Sequence, residues 1–166
     1  MWKYKGSDRP EFAIEPKDNE ESVWDYPRPP VLVDDTREVR VYGKDHILLA
    51  SSIRSIRVLE TASPPSFYLH PSDILIELDQ DEGHTWCEWK GKASYLFYKG
   101  LKVAWRYENP SERFARIDGW YSFYPGKASC FVSGEPVKAQ IGQFYGGWIT
   151  NEIVGPFKGG SGTNAW

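Results

Sequence analysis

Two cysteines, Cys87 and Cys130, one methionine and three histidines among 166 residues leave little material for covalent staples or a ligand-rich metal centre. A single, widely separated cysteine pair in a chain of this length lacks the dense spacing of a secreted disulfide scaffold, so both thiols are expected to stay reduced. His84 and Cys87, joined by Cys130 and either His46 or His70, form a mixed set that zinc accepts. There is no Cys-x-x-Cys pair, however, and the histidines are scattered, so no native metal is expected. No apolar run approaches the roughly 20 residues that span a bilayer, and residues 1–10 are charged, without the apolar stretch of a signal segment. An excess of basic charge is missing as well. With a net charge of -3 and a pI near 5.7, broad binding to nucleic acid or anionic lipid has no electrostatic footing. These absences together predict a cytoplasmic protein with neither membrane nor nucleic-acid partner, and they leave room for a local cationic pocket.

What is abundant is aromatic surface: 16% of the residues, with eight Trp and ten Tyr. Side chains so large and amphipathic must pack against one another or line a cavity. Residues 1–20 are polar, mixed in charge and aperiodic, and predict an arm, flexible or docked through Trp2, Tyr4 and Phe12, that is dispensable for folding. Residues 21–166 read as one β-rich domain. Its entry, Asp25 to Pro30, carries three prolines and is a rigid, non-helical strap. Val39 and Val41 alternate with polar residues before Gly43 and a second run at His46 to Ala50, which predicts two strands and a turn. Residues 52–62 combine a helical spacing (Ile53, Ile56) with an alternating one (Ile56, Val58), and predict a short helical turn leading into a strand. The clearest hairpin is Ala93 to Tyr107, turning at Lys99 and Gly100, with Ala93, Tyr95 and Phe97 on one arm and Val103, Trp105 and Tyr107 on the other. Pro110 to Ile117 predicts one or two helical turns. Trp120 to Tyr124 and Ala128 to Val132 predict a further strand pair, and the glycine-rich last quarter reads as loops laid over the sheets. The fold class that follows is mainly β: two packed antiparallel sheets or a small barrel-like roll, with one or two short helical turns.

Four blocks, "ESVWDYPRPP" (21–30), "RVLET" (57–61), "CEWKGKASY" (87–95) and "FYGGWITNEIVGPFKG" (144–159), resemble in order the bacterial and fungal family called domain of unknown function 427. The resemblance implies a compact β-rich domain. Some descriptions of the family add a nucleotidyltransferase label. The Gly-Ser turn and paired metal-binding carboxylates that such a transferase uses have no counterpart in this sequence.

Chemistry is concentrated in a few places. In "CEWKG", Cys87 and Lys90 stand three apart beside Trp86 and Trp89. A nearby ammonium makes a thiol more nucleophilic, and a partly dehydrated lysine is itself a base, a covalent amine or an anchor for an anion. The opposing reading is an inert cysteine and a lysine stem lying along a tryptophan. Arg54 and Arg57 offer guanidinium forks to an anionic ligand, with Glu60 to orient them, or else the three form ordinary surface ion pairs. Trp24, Tyr26, Tyr68, Tyr95 and Trp148 supply aromatic walls. "GPFKGGSG" (155–162) lacks the Gly-Lys-Ser/Thr order of a phosphate loop. The leading expectation is a small-molecule-binding domain in which Trp24, Arg57, Glu60, Lys90 and Trp148 converge on one aromatic, partly cationic cleft that takes an anionic small molecule. The alternatives are an enzyme using Cys87 or Lys90, including nucleotidyl transfer, and a protein-interaction module. The sequence points to no particular cofactor.

Overall fold

The computed structural model describes residues 2–87, 89–142 and 145–166. Among these residues the strands run β1 (Glu21–Ser22), β2 (Val31–Asp35), β3 (Val39–Tyr42), β4 (Leu48–Ser52), β5 (Ser55–Leu59), β6 (Ser66–Tyr68), β7 (Asp79–Cys87) and β8 (Gly91–Tyr98). They continue with β9 (Leu101–Tyr107), β10 (Tyr121–Phe123), β11 (Ser129–Val132), β12 (Glu135–Pro136), β13 (Lys138–Ala139), β14 (Trp148–Ile149) and β15 (Ile153–Val154). Helical structure is confined to short 3-10 stretches at Val23–Asp25, Pro71–Asp73 and Glu112–Ile117. The protein is therefore mainly β. No described helix is long and apolar enough to cross a membrane.

Two four-stranded antiparallel sheets, β10-β9-β8-β7 and β12-β11-β3-β4, and a three-stranded sheet, β2-β5-β6, form the body; none closes into a barrel. Alternation explains the main core. Val39 and Val41 on β3 point inward while Arg40 points out, and they meet Cys130 and Val132 of β11, Leu96 of β8, and Phe67 and Trp148. The β8–β9 hairpin turns at Lys99 and Gly100, both with positive φ (49° and 81°), the geometry of a tight two-residue turn whose twist suits the strands. A bulge between Leu96 and Phe97 leaves Val103 as the extra residue. Val103 therefore joins the main core, while Trp105 and Tyr107 enter a second cluster with Ile56, Val58 and Tyr68.

Three local expectations are corrected. Residues 52–54 form a tight link between strands instead of a helical turn: the Ser52 hydroxyl accepts the Arg54 N–H at 3.1 Å, and Ile53 projects into solvent, so its spacing to Ile56 has no packing meaning. The segments Tyr121–Phe123 and Ser129–Val132 are strands but do not pair with each other. The first pairs with β9 and the second with β3, where each supplies backbone partners to a strand that would otherwise be an open sheet edge. The tail is not all loop: Lys138–Ala139 pairs with Trp148–Ile149, and Ile153–Val154 pairs in parallel with Glu21–Ser22.

The arm is docked. Trp24 is fully buried beneath Tyr4, Phe12 and Trp166, with ring centroids 5.1–5.2 Å away. Lys3 N donates to Ala165 O, and Ile14 N to Gly155 O. Removing the arm therefore uncovers an indole that its polar composition does not reveal.

A charge network ties β1, β2, β5 and the tail together. Arg57 donates to Glu21 at 3.0 and 3.2 Å, and its Nε lies 3.2 Å from Asp35. Arg37 bonds both Asp35 and Glu152, the latter at 2.6 Å. Burial pushes the carboxyls of Glu21, Asp35 and Glu152 up, but the hydrogen bonds and charges of Arg57 and Arg37 outweigh it and hold all three below the usual carboxylate range. A lowered folded-state pKa gives stability that is present above the unfolded value of about 4 and is lost as pH falls through the folded value. Urea denaturation is accordingly expected to show a flat stability from neutrality to about pH 5 and a decline on the acid side of about pH 4. A midpoint unchanged down to pH 3 would contradict this network.

Candidate functional site

The β8–β9 hairpin builds one wall of a cleft. Its register pairs Ala93 with Tyr107 and Tyr95 with Trp105, so strand alternation sends these four side chains to one face. The cleft, about 340 Å3, opens between that face, β6 and the tail. Tyr68, Trp105 and Tyr107 form a buried floor, in which Trp105 Nε1 donates to the Tyr68 hydroxyl at 3.1 Å. Tyr95, Tyr124 and Trp89 form the sides. Gly146 lies against the Trp105 ring so closely that a Cβ there would run into it, which only glycine avoids. Burial raises the phenols of Tyr68, Tyr107 and Tyr124 above their ordinary range, so they stay neutral donors at physiological pH.

Charge enters this aromatic chamber at few points. Lys90 is 9% exposed, and its ammonium lies 5.5 Å from the Tyr107 ring and 5.7 Å from the Phe114 ring. Among the described residues no carboxylate pairs with it. Glu60, by contrast, accepts from Trp89 Nε1 at 3.0 Å and lies 3.6 Å from Arg28 Nε. Lys158 sits at the tail side, 4.1 Å from the centre of the Trp2 ring. The half-buried Cys87 thiol neighbours the Tyr107 phenol. No described lining residue is a histidine. His70 accepts from Ser72 N and packs on Trp120. Among the described residues no three His, Cys, Asp or Glu side chains gather as a metal site would need.

The structure divides the sequence-derived set. Glu60, Tyr68, Cys87, Lys90 and Tyr95 line the cleft. The expected convergence of Trp24, Arg57 and Trp148 with them does not occur. Trp24 is covered by the arm, and Trp148 stacks on Phe67 at 4.7 Å inside the main core. Arg57 is turned into the charge network, where Tyr26 also donates to Glu21 at 2.6 Å. Arg54 is exposed and pairs with Asp73. In each case a nearer partner, apolar or charged, claims the side chain.

The cleft also uses residues that the sequence did not single out as its lining: Trp2, Trp89, Trp105, Tyr107, Tyr124, Gln140 and Lys158. Period-two alternation with Tyr95 was a usable signal for Trp105 and Tyr107. For Trp2, Gln140 and Lys158, which arrive from the arm and the tail, no local pattern exists. A second groove, about 490 Å3, lies on the outer face of β3 and β11 beside Tyr42 and Phe131. Its Arg40 is paired with Glu38 at 3.3 Å, so it offers no unpaired charge comparable to Lys90.

A family model described as Domain of unknown function (DUF427) matches residues 31–134, more than half of the chain. The chain belongs to this family. The DUF427 match takes in the blocks at 57–61 and 87–95, and so Glu60, Tyr68, Cys87, Lys90 and Tyr95. It leaves the arm, the proline strap and the glycine-rich tail outside. No curated protein matches the chain.

Proposed function

We propose that this DUF427 protein binds a small aromatic anion in the cleft between the β8–β9 hairpin and the tail. The observation that carries the reading is Lys90: a nearly buried ammonium that faces aromatic rings and, among the described residues, has no acid paired with it. A buried, unpaired cation is unfavourable by itself, and an incoming acid group supplies the missing partner through a charge-assisted hydrogen bond. Around it, neutral phenols and indoles offer stacking faces and a few donors, the usual lining of a small-molecule site. Binding is favoured over thiol catalysis because the neighbour of Cys87 is a phenol whose pKa burial raises, which makes it a donor and a poor base. It is favoured over nucleotidyl transfer because the acids that line the cleft reduce, among the described residues, to Glu60, already engaged by Trp89 and Arg28.

Calorimetry with matched pairs tests this. Indole-3-acetate should bind and indole-3-acetamide should not, and likewise for other aromatic acid and amide pairs. Lys90→Met keeps the stem and removes the charge. It should weaken the acid by about tenfold or more, while the thermal midpoint stays level or rises because the uncompensated charge is gone. Equal binding of acid and amide, or acid binding unaffected by Lys90→Met, would overturn the assignment.

A further inference from the structure

Cys87 closes β7 on the cleft side of its sheet. Thr85 pairs with Ala93 and Cys87 with Gly91, so alternation turns both side chains to the face that carries Ala93, Tyr95 and Tyr107, and the Thr85 and Tyr95 hydroxyls meet there. The half-buried thiol lines the cleft beside the Tyr107 phenol. Lys90, three residues on, is 9% exposed and sets its ammonium 5.5 Å from the centre of that same Tyr107 ring. A thiol and an ammonium that has no acid partner among the described residues therefore flank one ring of the cleft. Their surroundings exclude two ordinary fates of a cysteine. Cys130 lies in the main core with Val39, Val41 and Val132, where burial pushes its thiol up, whereas Cys87 packs against the second cluster. The chain has no third cysteine to resolve a bond made at Cys87. No described lining residue is a histidine, so the thiol also lacks the base that catalytic turnover uses.

Resting on the binding reading above for the role of Lys90, we infer that Cys87 is a thiolation site: it exchanges with a small disulfide that bears a carboxylate, and Lys90 takes that carboxylate. The Cys87 thiol gives its proton to solvent, and its sulfur forms a new S–S bond to one sulfur of the disulfide. The disulfide's own S–S bond breaks, and the other half leaves as a thiolate that takes up a proton. Cys87 is oxidised and the incoming disulfide reduced by the same two electrons. Charge selects the partner, because a carboxylate arriving on the disulfide forms a charge-assisted hydrogen bond with an ammonium for which little water competes. A disulfide that carries ammonium groups meets repulsion at the same place. With no second thiol in the cleft, the mixed disulfide persists until an external thiol attacks it. Its acid-bearing chain then occupies the place of the aromatic acid, so oxidation closes the site and reduction reopens it.

Three disulfides of similar size separate charge from access: dithiodipropionate, which is anionic, hydroxyethyl disulfide, which is neutral, and cystamine, which is cationic. Each rate is followed by intact mass at about pH 8, since the thiolate is the attacking form, and is divided by the rate of the same reagent with N-acetylcysteinamide. The anionic disulfide should then exceed the neutral one by about tenfold or more, with one adduct per chain that maps to Cys87 and is absent from Cys87→Ser. Lys90→Met should erase the preference, and Lys90→Arg should keep most of it. Equal normalised rates for the three reagents, a preference that survives Lys90→Met, or an adduct carried by Cys130 would overturn the assignment. If Lys90→Met loosens the fold, so that two thiols react, Lys90→Gln decides by the same comparison. Calorimetry keeps the two readings apart. Aromatic acids should bind the reduced protein, fail to bind the thiolated one and bind again after dithiothreitol; binding undiminished by complete thiolation would overturn the closing of the site. Failure of the binding reading appears instead as no response of the reduced protein to any aromatic acid, and leaves the ranking of the three disulfides intact.

Discussion

Replacement of Trp148 by alanine is expected to lower the unfolding free energy by about 3–5 kcal/mol, the range for deleting a large aromatic from a packed core. The indole is fully buried, stacks on Phe67 with centroids 4.7 Å apart, and donates from Nε1 to Phe123 O at 2.9 Å. The substitution thus leaves a void between the two four-stranded sheets and an unpaired buried carbonyl, and neither is easily relaxed because β14 is pinned to β13 and to Pro65 O. Tyr95→Ala, at the cleft wall, should cost far less, because that side chain is only partly buried. Urea denaturation of both variants distinguishes a core indole from a ligand-binding one. A Trp148→Ala protein within about 1 kcal/mol of wild type that no longer responded to aromatic acids would restore Trp148 to the site.

Arg57→Ala should be comparably severe, about 3 kcal/mol or more, the usual result of removing one member of a nearly buried ionic group. Two carboxylates lose their shared partner: Glu21, left with the Tyr26 hydroxyl, and Asp35, left with Arg37. The pH dependence carries the signature. Glu21 and Asp35 are held low by these arginines, so protonating them removes what Arg57 was neutralising, and the deficit of the variant should shrink as pH falls below about 4. Arg54→Ala is the control: its pair with Asp73 is exposed on the arginine side and worth at most about 1 kcal/mol. A deficit in Arg57→Ala that stays constant from pH 7 to pH 3 would show that the loss comes from packing of the aliphatic stem.

The contrast between these arginines shows why site residues were only half legible. Arg54 and Arg57 stand three apart in one apolar-polar stretch and look alike as anion forks. Whether a guanidinium meets ligand, solvent or a buried carboxylate depends on Glu21 and Asp35, brought up by strands distant in sequence. The same holds for the tryptophans. Trp24 and Trp148 are as suited to a ligand wall as Trp89 or Trp105, but rings from Tyr4, Phe12 and Phe67 reach them first. Trp24 even keeps its Nε1 without a hydrogen bond among the described residues, a mark of how completely aromatic packing claims it.

What the sequence determined by itself is what short-range physics controls. Alternating Val39 and Val41, the paired alternation on both sides of Lys99-Gly100, and prolines and glycines that exclude long helices specify strands, a tight turn and a mainly β chain, because period-two alternation and turn geometry are properties of neighbouring residues. The crowding of Cys87 and Lys90 with aromatic neighbours likewise marked the stretch that lines the cleft. Strand partnership, such as β10 with β9 and β11 with β3, was decided only by the tertiary structure, as were the arm's seat over Trp24 and the closing of the cleft by Trp2, Gln140 and Lys158. These are contacts between segments far apart in the chain. Their energies depend on which apolar faces and opposite charges are left to be covered once the local elements exist, and no window of neighbouring residues contains that information.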